Sequence, residues 1–214
     1  MELSSFLGDC GVQLYLIDPS PEDSRIRKER GKFVMQKLYI VRHCKAEGQP
    51  PEARLTEEGF NQAKELADFF TAIQIDRIIS SPFTRAQQSI EPTARRKGLQ
   101  IETDDRLAER ILSTEHHEDW LEKLRHSFDY MKMRLQGGES NEEAMERAER
   151  LIIDLKERTE QNIILVTHGN LMTLLLKYFD DTYGFEEWKK LSNPDVFLVS
   201  FEDDAHEVER LWEK

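Results

Sequence analysis

"KLYIVRHCKAEG", residues 37–48, opens as a strand meant for the inside of a sheet and breaks off into an arginine followed at once by a histidine. Leu38, Tyr39, Ile40 and Val41 form the short, continuous apolar run that a strand covered on both faces accepts. Arg42 cannot join such a core unpaired, because an isolated buried charge is too costly. A core strand giving way to a charged loop would account for one such pair. A second apolar run, "NIILVTHGN" at residues 162–170, also ends in a histidine. Two strand-end histidines ask for a common explanation.

Working outward, "LTEEGFNQAKELADFF" (55–70) predicts a helix capped by Thr56, with Ala63, Leu66, Ala67 and Phe70 at helical spacing. "DRIISSP" (76–82) reads as a short strand closed by Pro82. "FTRAQQSIEPTARRKG" (83–98) reads as a helix broken or kinked near Pro92 and ended by Gly98. A strand running into a loop follows in "LQIETDDRLAER" (99–110), then a helix over 116–134 and a break at "QGGES" (136–140). Ser140 caps an amphipathic helix bearing Ala144, Ala148, Leu151 and Leu155 on one face. "LMTLLLKYF" (171–179) is an apolar helix, and "VFLVSFEDDAHEVERLW" (196–212) a terminal hairpin turning near Asp203, Asp204 and Ala205.

Alternating strands and helices predict an α/β fold, a three-layer α/β/α sandwich with a largely parallel sheet. Ligands of such sheets bind beyond the carboxyl ends of the strands. "YIVRH" and "LVTHG" therefore bring His43 and His168 to one edge of one sheet.

The chain has 214 residues, enough for one sizeable core with an appendage, and 34% of them are charged. No apolar run approaches the roughly 20 residues of a membrane span. The first residues carry no basic segment and place Asp9 in their apolar stretch, a poor match to a signal peptide. With only Cys10 and Cys44, no disulfide framework is expected, which suits a reducing cytoplasm. The net charge of −12 argues against nucleic acid or an anionic membrane as main partner. An anionic ligand would need a local knot of positive charge. The sequence leaves the oligomeric state open.

Such a knot is available. A neutral imidazole can attack phosphorus, and Arg42 and Arg85 offer planar forks matched to phosphate. Arg85 falls in the first turn of a helix, whose N-terminus also favours an anion. Gly169 and Asn170 begin another helix after His168, with backbone N–H groups able to point into the same cleft. Rival chemistries fail. No Cys is followed six positions later by Arg, as a cysteine phosphatase requires, and no Walker or dinucleotide glycine pattern occurs. "EHHED" (115–119) looks metal-like, but adjacent histidines on a helix diverge by about 100°, so a solvated face is expected. Trp120, Trp188 and Trp212 read as packing residues.

"VRH", "SSPFTRAQQS", "DDRLAE", "GGES" and "LVTHGN", in this order, together resemble the histidine phosphatase superfamily, also called phosphoglycerate mutase-like, from about residue 35 to the C-terminus. The resemblance implies phosphomonoester hydrolysis of a small phosphorylated metabolite through a phosphohistidine, with no metal and no other cofactor. It implies His43 as nucleophile, Arg42, Arg85 and His168 as the phosphate pocket, and Glu109 as proton donor and later base. Glu102, Glu115 and Glu118 lie near Glu109 in sequence; the match to "DDRLAE" selects Glu109. Gly169 joins the phosphate-binding set. The family usually has Gly after the nucleophile and Ser or Thr two residues further on, where this chain has Cys44 and Ala46. Gln49 or Lys45 is expected to compensate for the missing hydroxyl. A cofactor-dependent phosphoglycerate mutase and a catalytically weak phosphate-binding protein are the alternatives. Residues 1–34 precede the matched pattern, which leaves 35–214 as the phosphatase domain. They are either an added strand or arm, or the product of an overextended start with Met35 the true one.

Overall fold

The computed structural model describes residues 36–202 and 205–212. The N-terminal extension, Cys10 and the tip of the terminal hairpin, expected at Asp203 and Asp204, lie outside the described residues.

One six-stranded sheet organises the chain, in the order β3-β2-β4-β1-β5-β6. Its strands are β1 (Gln36–Arg42), β2 (Arg77–Ser80), β3 (Ile101–Thr103), β4 (Asn162–Thr167), β5 (Asp195–Glu202) and β6 (Ala205–Arg210). The first four run parallel, while β5 lies antiparallel to β1 and β6 antiparallel to β5. The helices are α1 (Glu57–Phe69), α2 (Thr84–Lys97), α3 (Trp120–Asp129), α4 (Asn141–Lys156), α5 (Gly169–Phe179) and α6 (Phe185–Lys190).

Successive side chains of a strand point to opposite faces, and the continuous apolar runs use both. Leu38, Ile40, Ile163 and Leu165 pack with Ala144, Ala148 and Leu151 of α4 and with the apolar face of α5. Tyr39, Val41, Ile164 and Val166 pack on the other side with Ala63 and Leu66 of α1 and with Ala86, Ile90 and Ala94 of α2. The sandwich therefore has three layers, as the sequence predicts.

The ladders fix the functional edge. β1 and β4 pair from Lys37↔Asn162 to Arg42↔Thr167, so the residues just past them, His43 and His168, emerge side by side. The His43 N–H extends the ladder by donating to the Thr167 carbonyl at 3.0 Å.

Three expectations need correction. Of the two readings of the helix over 83–98, broken or kinked near Pro92, the break does not occur: α2 runs through Pro92 and ends at Gly98, in the left-handed region at φ 68°. Apolar burial on both sides of Pro92, at Ala86 and Ile90 before it and Ala94 after, outweighs one lost N–H. The helix over 116–134 shrinks to Trp120–Asp129. Residues upstream pair instead with the glycine break, Thr114 N–H donating to the Gln136 carbonyl and Glu139 N–H to the Ile111 carbonyl. "EHHED" thus lies in turns before α3, and His117 sits 3.2 Å from the Ser113 hydroxyl. Trp212 is buried as expected, but Trp120 is 49% exposed, touching Trp188 edge-on.

Candidate active site

Five of the chemistry-bearing residues arrive at one edge from four elements. Arg42 ends β1 and His43 follows it; His168 follows β4; Arg85 stands in the first turn of α2, which β2 feeds; Glu109 lies on the loop after β3. The two imidazole centroids are 5.1 Å apart.

His43 is held by both ring nitrogens. Its Nδ1 lies 2.6 Å from the Cys44 carbonyl, which can only accept, so this nitrogen carries the proton. Nε2 is then a lone-pair nitrogen, and it accepts from Arg85 Nε at 3.2 Å. Burial, and after it the Arg85 and Arg42 charges, push the His43 pKa down to about 3 against the Cys44 hydrogen bond, leaving a neutral imidazole.

Both arginines are held by carbonyls rather than carboxylates. Arg85, 1% exposed, donates from Nη1 to the Gln49 and Pro50 carbonyls at 2.9 and 2.8 Å and lies over the Phe83 ring. Arg42 donates from Nη1 to the Leu191 and Ser192 carbonyls at 3.1 and 3.3 Å, while its buried Nε has no partner. Gly169 packs flat on this guanidinium, where a Cβ would stand 3.1 Å from Nη2. Burial lowers the pKa of both arginines, and the Glu109 charge opposes the shift. Among the described residues no carboxylate lies within ion-pairing distance of either. The knot of positive charge that the acidic composition called for is here, and it is not neutralised by contact.

His168 is fully buried. Its Nε2 lies 2.7 Å from the Ser81 hydroxyl, Phe83 stacks edge-on at 4.8 Å, and Nδ1 has no partner. Burial, with the charges around His43 and the arginines behind it, holds its pKa well below the usual imidazole range. The start of α5 does face inward, but its N–H groups already have an acceptor in the Glu109 carboxyl group. Glu109 accepts from Asn170 N–H at 3.2 Å, Leu171 N–H at 3.1 Å and Arg110 N–H at 2.9 Å.

The expected compensators take other roles. Lys45 ion-pairs with Glu58 at the start of α1, and Gln49 contributes its backbone carbonyl while its side chain is exposed. The positions that depart from the family pattern turn into the core. Cys44 is fully buried in the α1–α2 cluster, Ala46 packs against that cluster, and burial pushes the Cys44 thiol up to about 12.

Sequence reading passed over the supporting residues. Ser81 anchors His168, Asn193 donates from Nδ2 to the His43 carbonyl at 2.7 Å, and Arg147 holds the Arg106 and Ala108 carbonyls just before Glu109. The doubled serine in "SSP" was the only local hint of any of them. Among the described residues no group of three or more His, Cys, Asp or Glu could hold a metal ion, and no helix is long and apolar enough to cross a membrane.

Fold and edge together define an α/β sandwich whose strand ends converge on two histidines and two carboxylate-free arginines. The chain belongs to the histidine phosphatase superfamily, branch 1, whose family model matches residues 38–214. A protein of Hydrogenobacter thermophilus provisionally named phosphoserine phosphatase 2 is 31% identical over 153 residues, 64% of this chain and 75% of that one. Among solved structures, a mycobacterial glucosyl-3-phosphoglycerate phosphatase superposes with a TM-score of 0.67 at 22% identity, covering 83% of this chain and 97% of that one. Phosphoglycerate mutase from Bacillus anthracis gives 0.66 at 18%, over 83% and 93%. These two likenesses are of fold.

Proposed function

We propose that the protein is a phosphomonoesterase acting on a small phosphorylated metabolite through a phosphohistidine on His43. The observation that carries this reading is the pinned tautomer: a neutral imidazole whose Nε2 lone pair lies against Arg85 in a cluster of unneutralised cations. A substrate phosphate supplies the anion that this cluster lacks. Arg42 and Arg85 take its equatorial oxygens, with His168 donating from Nδ1 when the Ser81 hydroxyl donates to Nε2.

His43 Nε2 attacks phosphorus, the N–P bond forms as the ester P–O bond breaks, and Glu109 protonates the leaving oxygen. Water then attacks the phosphohistidine, giving its proton to Glu109 as the N–P bond breaks and phosphate forms. A cleft of about 460 Å³ lies beside Glu109, lined also by Ile111, Arg134 and Gly138, and the substrate is read as set by the loop 45–54 and the segment 110–139. The names of the relatives, a phosphoserine phosphatase and a glucosyl-3-phosphoglycerate phosphatase, support hydrolysis of small phosphorylated compounds. Cys44 and Ala46 leave the site intact because they face the core, which favours an active enzyme over a phosphate-binding relic. A cytoplasmic setting is part of the reading, supported by the sparse cysteines and the free, buried Cys44.

Hydrolysis rather than mutase action is favoured by the names of the sequence relatives, which are phosphatases. A panel of phosphorylated metabolites, read by phosphate release, tests the proposal. With 3-phosphoglycerate and a trace of the bisphosphate, phosphate release should dominate and 2-phosphoglycerate stay minor. Rapid bisphosphate-dependent isomerisation with negligible phosphate would overturn it.

A further inference from the structure

We propose that Arg210 and Asp195, on the terminal hairpin and outside the histidine–arginine cluster, are positioning residues that hold Arg42 and His43 in their working geometry. The inference rests on the phosphatase reading and extends it to the loop between α6 and β5.

Asp195 is fully buried and stands directly opposite Arg42 in the β1–β5 ladder. Arg210, at the end of β6, grips it in the bidentate manner, Nε to Oδ1 at 3.0 Å and Nη2 to Oδ2 at 2.6 Å. The pair does more than close a hairpin. Asp195 Oδ2 accepts from Ser192 N–H at 2.9 Å, and Arg210 Nη2 also donates to the Lys190 carbonyl at 3.1 Å. The segment 190–195 is thus tied down at both ends by one ion pair.

The side-chain hydrogen bonds between this segment and the end of β1 go to the site. The Leu191 and Ser192 carbonyls take Arg42 Nη1, and Asn193 Nδ2 holds the His43 carbonyl. Arg42 has no contacting carboxylate to orient it, so these two carbonyls and the flat contact with Gly169 set the direction of its fork. The Asp195 charge also acts on Arg42 through space, offsetting part of its desolvation. A guanidinium buried at the end of a strand keeps one direction only if its acceptors keep theirs. Arg210 is 37% exposed on an edge strand whose other ladder pairs remain without it, but its loss leaves the buried Asp195 unpaired, so R210M is expected to lose stability as well as phosphate affinity.

The test compares R210M, which keeps the apolar stem, with R210K and with V208A, a packing lesion elsewhere on β6. Inorganic phosphate binding is read by calorimetry, and kcat and KM with p-nitrophenyl phosphate. R210M should bind phosphate about tenfold more weakly and raise KM in step, with kcat changed by less than about threefold. R210K should recover part of the affinity, and V208A should lower the melting temperature with phosphate affinity unchanged. Unaltered phosphate affinity in R210M, or an equal loss in V208A, would overturn the inference while leaving the phosphatase reading intact. A wild-type protein that neither binds phosphate nor hydrolyses esters would remove both. If R210M is recovered unfolded, D195N, which keeps the shape and loses the charge, carries the test: phosphate affinity should fall at least about fivefold, and unchanged affinity would overturn the inference.

Discussion

Arg85 donates from Nε to Nε2 of His43 across 3.2 Å, while the same ring gives its Nδ1 proton to the Cys44 carbonyl at 2.6 Å. One contact selects the tautomer and the other occupies the place a phosphorus atom must take. In the proposed mechanism the attacking nitrogen and the cation that would stabilise the transferring group are therefore adjacent before any ligand arrives, and Arg85 Nε must turn from Nε2 to the phosphate oxygens as substrate binds.

From this comes the covalent prediction. Brief incubation with a phosphorus-labelled ester, quenched without acid, should leave a label on the protein that is acid-labile and base-stable. His43→Ala should abolish it and reduce turnover by roughly 10⁴-fold, about 5.5 kcal/mol of barrier. A label that persists in that variant would remove His43 from its role.

Glu109 is fixed by three backbone N–H groups. A general acid is worth about 10²–10⁴-fold. Glu109→Gln should accordingly slow esters of aliphatic alcohols far more than p-nitrophenyl phosphate, whose leaving group departs without a proton. Equal losses on both would assign Glu109 a purely structural task at the start of α5.

The histidines also make stability depend on pH. His43 is held at about 3 and His168 is lowered as well, whereas both titrate near 6.5 in the unfolded chain. Between those values the unfolded state binds protons that the folded state refuses. Stability is therefore complete above about pH 6.5 and falls as the pH drops toward 3, by about 1.4 kcal/mol per pH unit for each such imidazole. Urea denaturation from pH 7 to pH 4 should show this slope, and His43→Ala should lose close to its share of it. A variant with the wild-type slope would contradict the assignment.

Cys44 should be chemically silent. Full burial and a thiol pushed up to about 12 leave almost no thiolate at pH 8. Peptide mass mapping should find Cys44 unmodified by iodoacetamide in the native protein and fully modified in denaturant. Cys44→Ala should keep turnover within about twofold while costing on the order of 1 kcal/mol of stability. Native-state labelling that inactivates the enzyme would place this thiol in the site.

Charge stabilisation at the site is assigned to Arg42, Arg85 and His168, so activity should survive exhaustive EDTA treatment. A loss restored by a divalent ion would require a different mechanism.

Local pattern was enough for the frame of this protein. The apolar runs at 38–41 and 163–166 read as strands covered on both faces, and the helices between them imply parallel strands, so His43 and His168 belong at one edge of the sheet, but that β1 and β4 are neighbours was decided by the fold. Ser140 with Glu143 and Gly98 in its left-handed turn mark helix ends through contacts of short range, and the chain carries them openly. What the chain could not carry was the direction of side chains just past a strand, where no period applies. Cys44 and Lys45 look equally available in the sequence, yet one enters the core and the other pairs with Glu58, because the loop lies down on α1. Glu109 finds the start of α5 and Arg42 finds the carbonyls of 191 and 192 only once distant elements have docked. Periodicity is a property of neighbours, whereas the anchoring of a buried cation depends on whichever backbone oxygens the finished fold brings within 3 Å or so.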